Sequence, residues 1–298
     1  MFGWTIDEQR SFEVLDAYAR AGGNFIDTAD SYGRHGPAGA GESERIIGRW
    51  MAARGNREQL VIATKVGSAP TLPGLSEATI REGAEASLER LGTDRIDLYY
   101  AHKDDPGTPP EETLGAFGAL IDDGMIRHAA ASNYSAERLG EALRIGEREG
   151  MASYMALQAH YNLMERDEYE GELAPLCERH GLACLPYFAL ARGFLSGKYR
   201  PDGPQVDSPR AAGVHDSYFN DRGFAVLAAL DQIAAAHDTA VAAVALAWLA
   251  AQPTVAAPVA SATSTEQLAE LLASVELELS LAELARLSEA SGGTGLRS

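Results

Sequence analysis

Short apolar runs alternate with amphipathic stretches along almost the whole chain. The runs lie at 24–29, 60–66, 95–102, 126–133, 155–162, 183–190 and 254–261. Each has β-branched or aromatic residues at its centre and is short enough for a strand buried on both faces. Between them apolar residues recur three and four apart, which predicts helices with one buried face. Phe12, Leu15 and Ala19 precede the first run, Ile46, Ile47 and Trp50 the second, and Ile80, Ala84, Leu88 and Leu91 the third. Ser76 with Thr79, Thr108 before Pro109, and Ser135 with Arg138 mark helix entries, whereas Gly22–Gly23, Gly55, Gly92, Gly124, Gly150 and Gly181 mark exits. The segment 199–221 carries Pro201, Pro204 and Pro209 and reads as one long surface loop.

Alternation of strands and helices without antiparallel hairpins predicts a parallel sheet flanked by helices. An open dinucleotide-binding sheet should show G-x-G-x-x-G after an early strand, and none is present. The expectation is therefore a single (β/α) barrel over residues 1–298. Such a barrel needs eight strands and the chain shows seven, opening directly in a helix. The first strand is expected to be missing or truncated, with only Phe2–Gly3–Trp4 as its tail.

The chain has 298 residues, 46% of them hydrophobic, enough for a large core, and carries a formal net charge of −18. That charge argues against nucleic acid and against an anionic membrane surface as partners, since both need clustered cations. Cys177 and Cys184 lie in apolar context with no CxxC spacing, as free thiols in a reducing compartment do. The histidines show no metal-ligand spacing. No basic region followed by an apolar core opens the chain, and the apolar stretch 239–251 is too short to span a bilayer. A cytoplasmic protein, monomeric in the absence of any heptad pattern, is expected.

Active sites of barrels lie at the C-terminal ends of the strands. Those ends hold Asp27 with Tyr32 just beyond, Lys65, His102, Ser132 with Asn133, Gln158, and Tyr187. The set suits carbonyl reduction. Hydride arriving at a carbonyl carbon leaves an alkoxide that must be protonated, and a phenol can do so when an ammonium stabilises its phenolate. A buried ammonium needs a carboxylate, and a neutral imidazole can orient the carbonyl oxygen. Tyr32 is thus expected as acid, Lys65 as its tuner, Asp27 as partner of Lys65 and His102 as orienter. Trp4, Tyr32, Tyr134 and Tyr218 are candidate pocket aromatics, and Lys103, Asp104 and Asp105 either shape the pocket mouth or are simply solvated.

The segments GGNFIDTADSYG, GESERIIGRW, LVIATKVG and SLERLGTDRIDLYYAHKDD, followed by IRHAAASNYS, YMALQAHYN, LPYFALARGFLSGKYR and SATSTEQLAEL, resemble the aldo-keto reductase family in order. The resemblance covers nearly the whole chain. It implies an α/β fold, a (β/α)8 TIM barrel whose N-terminal hairpin and first strand are absent here, and an NAD(P)H-dependent reductase of a small aldehyde or ketone. The catalytic tetrad it implies is Asp27, Tyr32, Lys65 and His102. It places Ser132, Asn133 and Gln158 on the nicotinamide carboxamide, Tyr187 on the ring, and Phe188, Leu190, Arg192, Gly193 and Lys198 along the pyrophosphate. Gln267 and Glu270 would lie near the adenosine, and Arg210 near a 2′-phosphate. The resemblance favours NADP(H), but no Lys or Arg occurs between Gly223 and Ala285, a thin setting for a 2′-phosphate that leaves NAD(H) as a possibility. Similar barrels also act as nucleotide-binding regulatory or sensor subunits, which is the alternative to a working enzyme.

Overall fold

In the computed structural model, which describes residues 1–292, the chain gathers into two compact units. The first comprises Met1–Gln158, His180–Leu182 and Ser261–Leu268; the second comprises Ala159–Arg179, Ala183–Ala260 and, among the described residues, 269–292.

The first unit is an α/β fold with an open parallel sheet, as an incomplete (β/α) barrel requires. Its strands β1 (Phe25–Asp27), β2 (Val61–Val66), β5 (Ile96–Ala101), β6 (Ile126–Ser132) and β7 (Tyr154–Gln158) follow one another in that order. A small antiparallel hairpin, β3 (Ser68–Ala69) with β4 (Leu72–Pro73), sits apart from the sheet. Helices α1 (Glu8–Arg20), α2 (Glu42–Arg54), α3 (Glu77–Leu91), α4 (Pro110–Asp122) and α5 (Ala136–Glu149) alternate with the strands. Every residue of β5 is buried, the continuous burial that a strand covered on both faces must have. Parallel register sets Asp27 beside Ala63, Lys65 beside Tyr100, and Ser132 beside Gln158. Asp27, Ser132 and Gln158 are each the last residue of their strand, Lys65 the second last of its own, and His102 follows β5 directly.

Ser76 and Ser135 cap α3 and α5 through backbone N–H groups of Thr79 and Arg138, as the sequence predicts, and Gly55, Gly92 and Gly150 end their helices in the left-handed conformation. The helix entry expected at Thr108 before Pro109 is where α4 begins, although Thr108 does not cap it. The Thr108 hydroxyl donates to Asp105 at 2.7 Å, and α4 starts after Pro109 without a side-chain cap. Phe2–Gly3–Trp4 folds as a tight turn, with Gly3 N–H donating to Ile6 and Trp4 N–H to Met1.

The second unit holds β8 (Ala183–Cys184) and helices α7 (Ala211–Tyr218), α8 (Asp221–Ala236), α9 (Val241–Ala250) and α11 (Leu281–Ala290); α6 (Ala174–His180) and α10 (Thr265–Leu272) complete the helices. Three expectations are corrected here. The run 183–190 is a strand only at Ala183–Cys184, because Pro186 has no N–H to continue a ladder. The run 254–261 is not a strand and makes only an isolated bridge, Val255 beside Cys184. Cys184 N–H donates to Thr254, Ala256 N–H to Cys184 and Val259 N–H to Pro186, while Pro258 interrupts the series. The supposed loop 199–221 contains α7, which buries Val214 and Tyr218. The apolar α9 is buried from Ala242 to Leu249, and among the described residues no single helix is long and apolar enough to cross a membrane.

Candidate active site

At the end of β1 the carboxylate of Asp27 accepts from Lys65 Nζ at 2.6 Å. Lys65 is fully buried, a costly place for an ammonium unless it is paired and hydrogen-bonded. It is both. Nζ also donates to the Thr28 carbonyl at 2.6 Å and to the Tyr32 hydroxyl at 3.3 Å, and stands 4.7 Å from the centre of the Tyr32 ring. Burial alone would lower the Lys65 pKa, but the charges and bonds of Asp27 and Tyr32 outweigh it and raise it above the usual lysine value.

The Tyr32 ring meets that of His102 edge-on, centroids 5.9 Å apart. Burial first, then the positive charges of Lys65, Arg34 and Lys103, hold the His102 imidazole down at about 3. It is therefore neutral at physiological pH. His102 Nδ1 is buried without a hydrogen-bond partner. Asn133, in the left-handed region at φ 55° that Asn tolerates better than most residues, donates to the His102 carbonyl at 2.8 Å and to Ser132 Oγ at 3.0 Å.

Gln158 Nε2 donates to the second oxygen of Asp27 at 2.8 Å. The first unit thus brings Asp27, Tyr32, Lys65 and Gln158 into one hydrogen-bonded group, with His102, Ser132 and Asn133 beside it. The bond between Gln158 and Asp27 is not legible in the sequence, since nothing in a linear pattern links positions so far apart.

A second buried polar group lies close by. Glu44 is fully buried and accepts from Thr64 Oγ1 and from Arg90 Nε, both at 2.6 Å. Its position was accessible to pattern reading. Glu44, Ile47, Gly48 and Met51 form the buried stripe of α2, so a carboxylate on that stripe demands a cation. Gly48 lets α2 approach α3, since a Cβ there would come within 2.6 Å of the Arg90 carbonyl. Near Glu44, Asp30 is only 5% exposed. Burial and the Glu44 charge push its carboxyl up to about 7, against the lowering effects of Arg90 and the Ser31 and Ala69 backbone.

Asp104 and Asp105 are structural latches. Asp104 takes a bidentate contact from Arg138, and Asp105 accepts from Leu75 N–H, Gly107 N–H and Thr108. Lys103 is exposed. Of the candidate pocket aromatics, Tyr134 is buried in the core with its hydroxyl 3.1 Å from that of Tyr154, and Tyr218 is buried with its hydroxyl donating to Glu165. Both are corrections to the expected pocket role. Trp4 packs on His35 with ring centroids 5.5 Å apart.

In the second unit Tyr187 stacks on His160, centroids 5.2 Å apart and planes 15° from parallel. Its backbone N–H donates to Ala159, and Asn162 Nδ2 donates to the Phe188 carbonyl at 3.0 Å. Phe188, Ala191 and Arg192 all have positive φ, a strained stretch of non-glycine backbone. Leu190 leads into it. Gly193, at φ 99°, adopts a conformation open only to glycine, and a Cβ there would press within 3.3 Å of the Lys198 side chain. The guanidinium groups of Arg192 and Arg210 lie 5.3 and 5.7 Å from the centre of the Phe188 ring. Burial and the charge of Arg210 lower the Lys198 pKa. Arg192, itself on strained backbone, thus forms a cationic group with Lys198 and Arg210. Gln267 is exposed, its Oε1 accepting from the Thr263 hydroxyl at 2.8 Å, and Glu270 is exposed.

The model of the Aldo/keto reductase family matches residues 1–291. The chain is 32% identical to a probable voltage-gated potassium channel subunit beta of Oryza sativa subsp. japonica, over 93% of this chain and 85% of that one. It is 31% identical to norsolorinic acid reductase stcV of Emericella nidulans, over 95% and 72% of the two chains. It is 32% identical to the uncharacterized oxidoreductase YrpG of Bacillus subtilis, over 99% and 90%.

Proposed function

The chain belongs to the aldo/keto reductase family, and from that premise we propose that it reduces an aldehyde or ketone to the alcohol by hydride transfer from NAD(P)H, with Tyr32 as general acid. The observation that supports this reading best is the buried Lys65 ammonium, held by Asp27 and Thr28 within hydrogen-bond reach of the Tyr32 hydroxyl. A positive charge at that place favours the phenolate left when Tyr32 gives up its proton.

Residue types within each unit, taken by itself, suit parts of a nicotinamide nucleotide. Arg192, Lys198 and Arg210 supply cations of the kind that a pyrophosphate and a 2′-phosphate need, and the positive-φ backbone of Phe188, Ala191 and Arg192 accompanies them. Ser132 and Asn133, with the remaining amide groups of Gln158, suit a carboxamide; Tyr187 presents a face for an aromatic ring; Gln267 and Glu270 are left for the adenosine. When bound, the reduced nicotinamide supplies the hydride. The chain does the rest. His102, neutral by burial, hydrogen-bonds the carbonyl oxygen and orients it; Tyr32 donates the proton to that oxygen; Lys65 stabilises the phenolate; Asp27 keeps Lys65 charged. The cationic group favours NADP(H), with NAD(H) accepted more weakly. We propose a cytoplasmic setting for it, one in which the free, buried thiols of Cys177 and Cys184 would stay reduced.

A regulatory barrel with slow turnover is the second reading, motivated by the likeness to a probable channel subunit. One comparison separates them. Purified protein is assayed for consumption of NADPH and NADH with simple aldehydes, beside Tyr32→Phe. The enzyme reading expects turnover that falls at least about 100-fold in the variant, with nucleotide binding by fluorescence retained. Binding without turnover in the unaltered protein supports the regulatory reading.

A further inference from the structure

Charges around His102 are sorted unevenly. The Asp27 carboxylate is spent on Lys65, and Asp104 on Arg138. Asp105 is tied by two backbone N–H groups and the Thr108 hydroxyl, which leaves it charged but anchored. Glu42 is held by Arg45 and Arg49, and Glu44 by Arg90. Two cations that act on His102 are held differently, although the Lys103 charge also reaches Asp105. Arg34 and Lys103 are both exposed, and among the described residues neither forms an ion pair. Among the described residues the one side-chain hydrogen bond of Arg34 runs from Nε to His35 Nε2 at 3.1 Å, which leaves the terminal nitrogens of the guanidinium for another partner. His35 is itself braced against Trp4.

Their location gives this meaning. Arg34 lies two residues beyond Tyr32 and Lys103 immediately follows His102, so the two cations come from different loops that flank the two groups facing the carbonyl. In a chain with 43 acidic against 25 basic residues, an unpaired pair of cations at this place runs against the overall charge. A guanidinium with free terminal nitrogens and an ammonium suit one oxyanion from two sides.

Resting on the reductase reading above, we infer that the preferred substrate is a carbonyl compound that also carries an oxyanion, which Arg34 and Lys103 bind while His102 and Tyr32 hold the carbonyl. The acidic surface elsewhere repels such a molecule, so the local cations also decide where it enters.

The test compares 4-carboxybenzaldehyde with its methyl ester, methyl 4-formylbenzoate, under saturating NADPH. The quantity read is the ratio of kcat/KM for acid over ester, which cancels effects common to both. In the unaltered protein the ratio is expected to exceed that of Arg34→Gln/Lys103→Gln by about tenfold or more, and to shrink with added salt. Arg34→Lys should keep most of the preference, and Arg34→Glu should invert it. Both positions are exposed, and circular dichroism checks that the variants fold. If both aldehydes are reduced and the ratio is the same in protein and double variant, the inference is overturned and the reductase reading stands. If neither aldehyde is reduced although nucleotide binds, the two fall together.

Discussion

Gln158 and Asp27, 131 positions apart, are joined by a 2.8 Å hydrogen bond from the Gln158 amide to Asp27 Oδ1. The other oxygen of the same carboxylate receives Lys65. The two bonds leave Asp27 no freedom to turn, so the ammonium is presented to Tyr32 from one direction only. Gln158 is thereby a positioning residue as well as a candidate for the carboxamide.

Gln158→Leu removes one of these bonds and leaves a buried carboxylate oxygen unsatisfied. A destabilisation of about 1–3 kcal/mol is expected. kcat should fall as Lys65 loses its fixed orientation, and KM for the nucleotide should rise. Urea unfolding and steady-state kinetics check both. An unchanged kcat with a raised nucleotide KM alone would show that Gln158 serves only the carboxamide.

Lys65→Met removes the cation and strands the Asp27 carboxylate. Breaking a buried pair costs on the order of 3–5 kcal/mol, since the Asp27 side chain is only 6% exposed. Thermal unfolding at pH 7 should show the loss. The double variant Lys65→Met/Asp27→Leu, which removes both charges, should recover much of the stability and none of the activity.

Asp30 and His102 tilt the pH dependence of stability in opposite directions. The folded-state pKa of Asp30 is raised to about 7, so its contribution is full below the ordinary carboxylate value and lost as pH rises through about 7. That of His102 is depressed to about 3, so its contribution is present above the ordinary histidine value and lost as pH falls toward 3. Asp30→Asn should abolish the decline on the alkaline side, which amounts to roughly 3 kcal/mol between pH 5 and pH 8, and leave the acid limb in place. Urea midpoints measured across that range decide it. A variant that still weakens between pH 6 and pH 8 would assign the decline to another group.

Arg210→Ala should weaken NADPH more than NADH. A guanidinium on a phosphate contributes about 1.5–3 kcal/mol, which corresponds to a change of roughly tenfold to a hundredfold in Kd. Fluorescence titration with each nucleotide at two salt concentrations reads the difference. Equal losses for the two nucleotides would remove Arg210 from the 2′-phosphate.

Much of the first unit was legible in the sequence. β2 and β5 are buried almost throughout, so they read as short buried strands, and Ser76 and Ser135 cap their helices through local bonds that a short motif records. The second unit was harder to read. Pro186 and Pro258 sit inside apolar runs that look like strands and prevent a ladder, while the prolines of 199–221 hid the short helix Ala211–Tyr218. Tyr134 shows another limit. It follows the strand-end pair Ser132 and Asn133, but its side chain turns into the core to meet Tyr154, and composition does not reveal which way a residue beyond a strand will point.

The sequence by itself determined the α/β class and, in the first unit, the order of strands and helices and the residues that end those strands, because hydrophobic periodicity and caps act between near neighbours. Only the tertiary structure decided which of these residues bond to one another. Gln158 on Asp27, Arg90 on Glu44 and the rise in the Asp30 pKa come from groups far apart in the chain, brought together in an interior where water no longer screens them. The strength of a charge there depends on what surrounds it, and those surroundings exist only once the chain has folded.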